Sequence, residues 1–395
     1  MEKNFMVDQE MMVRVRRSLH MYPELEFDLP KTLATVRAEL DAIGIPYEFE
    51  KYGPSSIVAT INPDITAFTI GIRADMDALP IHEENDVSYR SKHDGKMHAC
   101  GHDAHTAMLL GTAKALWAIR GELRCRIKLL FQPCEESRPS GAKTMCQHGV
   151  MREIDCIIMC HVNCGDPAGL PSSCEGVTNA TSVRFEITAH GRAAHIASQN
   201  ACIDALAIGV KIYLGIQMMI SREADPFDTC VIAVGTMSAG TTTATNADQC
   251  VMAGSIRCLK DNTLAWAKAR LTRLVDSTCA EMGGTGEVIF SDPPLPTANN
   301  DPRMHLAFTK SALKVTPKVL PLLPSPGGED FAYYEREKPG LLFGLGMRNN
   351  AKGFNKPAHT NNWDIDEDAL QVGAKLFCQF VWDNQDGIPG LFDKG

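Results

Sequence analysis

Residues 127–137 read IKLLFQPCEES. The apolar run IKLLF, closed by Gln-Pro and then by Glu135 and Glu136, has the pattern of a buried strand that delivers two carboxylates at its C-terminal end. Open α/β sheets place ligand-binding groups at that end. The same design recurs on both sides. FTIGIRAD (68–75) is a strand ending in Asp75, and IDCIIMC (154–160) is a strand followed by His161. Between the first two, Thr106 to Ile119 carries the Ala/Leu-rich pattern of a helix, and SSIVATI (55–61) is a further strand. Upstream, Phe5–Leu19 and Leu33–Ile43 read as helices separated by Pro23, and Gly44 stops the second. Strand–helix–strand alternation predicts an α/β fold with a sheet that is at least partly parallel.

The texture changes near residue 180. SVRFEITAHG (182–191), CVIAVGTMSAG (230–240), QCVMAGSIRCL (249–259) and EVIFSD (287–292) alternate as strands, with helices over Ala201–Ile220 and Leu264–Met282. The order β-α-β-β-α-β is that of a split βαβ, ferredoxin-like unit. It predicts a discontinuous first domain, 1–179 plus 292–395, interrupted by a domain over 180–291. DPPLPTANNDP (292–302) is the expected return crossing. Beyond it come a helix, the loop PSPGGEDF (324–331), the strand LLFGLG (341–346) and a C-terminal helix from about Asp366.

With 395 residues, 44% of them hydrophobic, the chain has material for two or three packed domains, which excludes whole-chain disorder. The net charge of −9 and the absence of a dense Lys/Arg run exclude a sequence-independent nucleic-acid binder. The longest apolar stretch, 201–220, is broken by Asp204, Lys211 and Gln217, so no membrane-spanning helix is expected. The N-terminus lacks an apolar h-region. Fourteen cysteines without an export signal read as reduced thiols of a cytoplasmic protein.

The densest chemistry lies in MHACGHDAH (97–105), with His98, Cys100, His102, Asp103 and His105 within eight residues. Cys100 and His102 can turn to one point from a loop leading into the helix near Thr106. Imidazole beside thiolate suits a borderline-soft divalent metal such as zinc. An isolated Glu-Glu pair is more often a solvated turn, and a lone His after a strand is more often structural. Here Asp75, Glu135–Glu136 and His161 all fall at the same end of three strands, and the Cys100–His102 loop joins them, which points to a metal site. Cys156, Cys160 and Cys164 could in principle hold a second metal. Two of them sit inside an apolar run and read as small core residues.

Taken together these motifs resemble the amidohydrolase branch of the dinuclear metallopeptidases, which includes hippurate hydrolases, N-acyl-amino-acid deacylases and plant indole-acetyl-amino-acid hydrolases. The resemblance runs through RRSLHMYPELEF (16–27), RADMDALPI (73–81), MHACGHDAHTAMLLGTAK (97–114), FQPCEES with GAK (131–143), GRAAHIA (191–197), PGGEDFAYY (326–334) and His359 before DIDEDAL. It implies a catalytic domain with a central mixed sheet flanked by helices, and an inserted lid and dimerisation domain.

The resemblance also implies two divalent ions per subunit (Zn or Mn, with Co or Ni as further options) held by Cys100, His102, Glu136, His161 and His359, with Cys100 between the two. Glu135 is implied as the general base that acts on a water shared by the ions, Asp75 as the acidic residue orienting the site, and His195 as a group brought to the substrate, often from a partner subunit. Asn246 and Arg257 are implied as polar contacts to the substrate. The expected activity is hydrolysis of an N-acyl amino acid, or a short peptide-like amide, by a homodimer with neither nucleic-acid nor membrane partner. Ser137-Arg138-Pro139-Ser140, Ser198-Gln199 and AHTNNW (358–363) depart from the usual pattern. Two rival readings are a cysteine-nucleophile amidase using Cys100 and a catalytically silent binding protein of the same fold.

Overall fold

A computed structural model describes residues 3–291 and 294–391. Asp292 and Pro293, at the start of the expected return crossing, lie outside the described residues. The chain divides into two compact units: Met1–Thr178 with Asn299–Leu323 and Asp330–Gly395, and Asn179–Ala298 with Pro324–Glu329.

The first unit is a mixed α/β structure built on an eight-stranded sheet. In spatial order its strands are Tyr47–Phe49, Ile57–Ile61, Arg126–Gln132, Thr69–Asp75, Cys156–Pro167, Gly340–Arg348, Pro171–Ser173 and Leu320–Pro321. The four strands from Arg126–Gln132 to Gly340–Arg348 run parallel. Three of them, Arg126–Gln132, Thr69–Asp75 and Gly340–Arg348, are buried almost without interruption, and Cys156–Pro167 is so over its first half, as expected for strands covered on both faces. One face carries the larger core, with Met12, Val15, Leu109, Leu116, Phe308 and Phe377. The other carries a smaller one around Met145, Met151, Phe331 and Tyr334.

Local chemistry shifts several boundaries from the sequence reading. The first helix is Gln9–Met21 rather than Phe5–Leu19, because the Asp8 carboxylate caps it by accepting from Met11 N–H. The second begins at Pro30, whose fixed φ suits the first helical turn. The helix expected from Thr106 begins at His102 and runs to Ala118. His102 and His105 therefore occupy its first turns instead of a preceding loop. It is buried nearly all round, and Gly111 lets it approach the first helix closely: a Cβ there would sit 2.3 Å from Met12 Sδ. The strand expected to end before His161 continues to Pro167. The C-terminal helix is Leu370–Asn384, preceded by a 3-10 turn over Glu367–Ala369 that Asp366 caps.

The second unit has a four-stranded antiparallel sheet, in spatial order Thr285–Phe290, Thr181–His190, Gln249–Cys258 and Cys230–Ala239. Helices Ala205–Glu223 and Asp261–Glu281 pack on it through Ile208, Ile212, Ile216, Leu271 and Val275. The first of these helices starts at Ala205 because Asp204 accepts from the N–H groups of Leu206 and Ala207. By length and composition that helix passes the threshold for crossing a membrane, a test that helices packed in the core of water-soluble folds also pass. Its inward face is committed to the sheet of its own unit. The Pro324–Glu329 segment joins this unit through Ala180 N–H, which donates to Ser325 O, and Arg257, which donates to Pro326 O.

Candidate metal centre

The sharp turn at Gly101 sets the site. Its φ of +99° is a left-handed conformation, and a Cβ at this position would lie 2.3 Å from Val162 Cγ2 and 2.9 Å from Trp363 Cη2. Only glycine meets both demands. Cys100 is thereby left at the end of the loop, and His102 at the start of the helix points its ring toward the ends of the parallel strands.

Five side chains converge there. Cys100 Sγ lies 3.5 Å from His161 Nε2 and 3.3 Å from His359 Nε2. His359 Nε2 is 3.2 Å from Glu136 Oε1, and His102 Nε2 is 3.9 Å from that oxygen. Two groups of three potential donors share the Cys100 sulfur: Cys100–His102–His161 and Cys100–Glu136–His359. Glu135 Oε2 stands 4.0 Å from His102 Nε2. His359 arrives from the far end of the sequence with φ of +63°, anchored by its N–H to Ala99 O at 2.8 Å.

These spacings fit metal ions better than a hydrogen-bonded cluster. Both ring nitrogens of His102 are buried without a hydrogen-bond partner. Such orphans cost free energy unless something satisfies them. Metal–ligand bonds of about 2.0–2.3 Å place neighbouring ligands roughly 3.3–3.8 Å apart across a tetrahedral angle, close to the separations seen. His161 Nδ1–H donates to Val162 O at 2.8 Å, which leaves Nε2 as the lone-pair nitrogen facing Cys100.

The supporting shell is dense and charged. Asp75 Oδ1 is 2.6 Å from His105 Nδ1, and Asp75 Oδ2 is 2.7 Å from Arg73. Burial opposes ionisation of Asp75, but His102, Arg73 and His105 together hold its carboxyl well below the usual range. Burial pushes His105 down to about 4, so its ring is neutral near pH 7. Burial and the Glu136 carboxylate push the Cys100 thiol well above its ordinary value.

Sequence reasoning overlooked Asp77. Buried two residues after Asp75, it accepts from the main-chain N–H groups of Glu135 at 2.9 Å and Glu136 at 3.1 Å. The carboxylate pair thus sits on a backbone clamp; the signal was the second Asp of RADMDALPI. Asp103 and His98 do not join the donors, although they belong to the same short cluster. Asp103 faces away to Arg16 at 2.9 Å and His20 at 2.7 Å, and His20 continues to Glu83 at 3.1 Å. His98 is fully buried, and burial drives it down to about 3.

The remaining expected residues lie in the second unit. His195 is exposed in a loop that pairs with Thr245, and its Nδ1 accepts from Ala197 N–H at 3.2 Å. Asn246 adjoins that loop, donating through its main-chain N–H to Ala194 O, and its side-chain oxygen is buried without a partner. Arg257 lies near the far end of the strand Gln249–Cys258. Eight residues of extended chain, roughly 27 Å, separate the two ends. Within this unit the structure therefore does not bring Asn246 and Arg257 to one point.

The donor groups gathered beside the parallel strands and the paired carboxylates define a metal-dependent hydrolase of carbon–nitrogen bonds. The chain belongs to the peptidase family M20/M25/M40, whose model matches residues 71–383. It is 35% identical over 369 residues to thermostable carboxypeptidase 1 of Saccharolobus solfataricus, covering 93% of each chain. It is 32% identical over 370 residues to N-acetylcysteine deacetylase of Bacillus subtilis, covering 94% of this chain and 96% of the relative. Its structure is similar to that of the Bacillus subtilis YXEP protein, described as a dinuclear metal binding peptidase from the M20 family. There the TM-score is 0.83 at 30% identity, over 94% of this chain and 97% of the other.

Proposed function

We propose that the protein hydrolyses the amide that joins an acyl group to an amino acid whose α-carboxylate is free. The observation that carries this reading is the pair of three-donor groups sharing Cys100, with Glu135 alongside. A deacylase of N-acyl amino acids and a carboxypeptidase both expel an amino acid with a free carboxylate. The two named relatives therefore support one substrate class, which includes short peptide-like amides.

Cys100, His102, Glu136, His161 and His359 would hold two divalent ions; zinc or manganese suits this donor set, and cobalt or nickel also fits. When bound, the ions supply Lewis acidity toward water and the amide carbonyl. Glu135 takes a proton from the attacking water and returns it to the leaving amine. Asp77 holds the Glu135 and Glu136 backbones, and Asp75 fixes the imidazoles behind them. His195 is proposed as a donor to the developing oxyanion, on the strength of the GRAAHIA motif and its exposure. Asn246, with its unpartnered oxygen, and Arg257 are proposed as polar contacts to the substrate, each from its own end of the strand.

We further propose that the chain forms a homodimer through its inserted domain, which also serves as a lid. The helix Ala205–Glu223 exposes Leu206, Val210, Leu214 and Met218 along one stripe, and Cys230–Ala239 is an edge strand. Both features are unusual on a surface that stays free. Cytoplasmic residence is supported by all fourteen cysteines being free thiols.

The test is a panel of N-acyl amino acids and dipeptides, each offered with a free and with an amidated α-carboxylate, to protein loaded with zinc or manganese. Release of amino acid from free-carboxylate members is expected. A preference for the amidated members, or no release from any, would sink the proposal.

A further inference from the structure

We infer that Cys230 and Cys258 form a redox-sensitive pair that closes to a disulfide, a modification site remote in sequence from the metal donors. The two residues are register partners on adjacent antiparallel strands, Cys230–Ala239 and Gln249–Cys258. Register partners in an antiparallel pair have Cα atoms about 4.5–5.5 Å apart. That lies within the roughly 4.4–6.8 Å span a disulfide accepts. Their sulfurs are already 3.7 Å apart, with the Cys258 thiol donating to Cys230 Sγ. Bond formation therefore calls for rotation of the side chains and not for movement of the strands.

The surroundings hold the pair in place. Cys230 and Ile232 lie on the helix-covered face of the sheet, whereas Val231 between them is 41% exposed. Asp228, two residues before Cys230, pairs with Lys260 and accepts from Thr263 Oγ1 at 2.9 Å; both partners follow Cys258 closely. The turn that precedes one cysteine is thus tied to the segment that follows the other. Cys258 is buried, while Cys230 is only half-buried and open to a small reagent. The hydrogen bond from Cys258 lowers the Cys230 thiol and raises Cys258, which makes Cys230 the attacking sulfur. Among the described residues no third donor joins the pair to make a metal site.

With a small organic disulfide as oxidant, the Cys230 thiolate attacks one of its sulfurs. The S–S bond of the oxidant breaks, and one thiol leaves. The Cys258 thiolate then attacks Cys230 Sγ in the mixed disulfide and expels the second thiol. The two protein thiols lose two electrons and two protons, and the oxidant becomes two thiols. The product staples the start of an edge strand to its neighbour across a sequence separation of 28 residues. Such a loop closure restrains the unfolded chain and raises stability.

The experiment equilibrates the metal-loaded full chain with an excess of the linear disulfide 2-hydroxyethyl disulfide and maps its peptides without reduction. The expected result is a species two hydrogens lighter, with the Cys230 and Cys258 peptides joined, an elevated unfolding temperature, and full reversal by reduced dithiothreitol. Cys230→Ser and Cys258→Ser should each abolish the link. The inference is overturned if both cysteines of the folded wild type stay open to alkylation after oxidation, or if either pairs with a different cysteine. The wild-type map decides the matter even where a serine variant folds poorly.

Discussion

The Asp75 carboxylate and the His105 imidazole are joined at 2.6 Å through Nδ1, while His105 Nε2 accepts from the main-chain N–H of Val162 at 2.9 Å. Because Nε2 accepts, the ring proton of this neutral histidine is fixed on Nδ1 and aimed at Asp75. His105 ties the strand that carries Asp75 to the strand that carries His161. His105→Phe strips a partner from two buried polar groups, at about 1–3 kcal/mol each. The expected outcome is a lower unfolding temperature together with metal affinity weakened about 10–100-fold, the usual cost of losing an outer-shell partner. Calorimetry and metal titration check the two effects separately.

Glu135→Gln keeps size and shape but removes the base. Turnover should fall about 10²–10⁴-fold. Metal content should stay near that of the wild type, because Glu135 is not among the five proposed ligands. Metal analysis alongside steady-state kinetics tests this. Retention of full turnover would show that another group moves the proton.

Cys100 belongs to both donor groups, so Cys100→Ala should lower metal occupancy and activity in parallel. Exhaustive chelation of the wild type should abolish amide hydrolysis, and added zinc or manganese should restore it. A chelated enzyme that stays active but is blocked by iodoacetamide would support the thiol-nucleophile alternative.

Part of this site was legible in the sequence because Asp75, Glu135 and Glu136 stand at or just past strand ends and Cys100 and His102 lie inside one compact motif, whereas His161 sits within a longer strand and His359 was reached only through the family resemblance. Asp75, Glu135, Glu136 and His161 were placed by the pattern of an apolar run followed by a polar residue. What periodicity could not supply was direction. It gave no sign that the helix starts at His102, since that depends on the positive φ of Gly101. Nor could it show that Asp103 turns away from its histidine neighbours to meet Arg16, 87 residues earlier. Asp77 was hidden for a related reason: it acts on main-chain N–H groups, which leave no mark in residue types. The separation of Asn246 from Arg257 follows from strand length, once the strand between them is known to be continuous.

His20 and Glu83 form a buried pair whose stabilisation has two pH limits. Burial and Arg16 oppose the charge on His20, but Asp103 and Glu83 raise it overall above its ordinary 6.5. Its contribution is complete below 6.5 and fades as pH climbs through the raised value. Burial opposes ionisation of Glu83, but the hydrogen bond to His20 lowers it overall below 4.5. Its contribution is complete above 4.5 and fades as pH falls through the lowered value. The loss in unfolding temperature caused by His20→Gln should therefore be greatest between 4.5 and 6.5 and shrink on both sides. A loss that does not vary with pH would mean the ring contributes by packing alone.

The exposed stripe on Ala205–Glu223 gives the assembly a direct test. Leu214 is 56% exposed and Met218 65% exposed, one helical turn apart, on the face opposite Ile212, Ile216 and Met219. If two copies meet there, each side chain is buried in the dimer although open in a single chain. The double substitution Leu214→Glu with Met218→Glu would then set four like charges against one another across the two-fold contact, with no opposite partner supplied. The inward face is untouched, so the unit should still fold, and far-UV circular dichroism should match the wild type. Sedimentation should show a dimer for the wild type and a monomer for the double variant. A wild type that is already monomeric at micromolar concentration, or a variant that remains dimeric, would move the interface elsewhere or remove it.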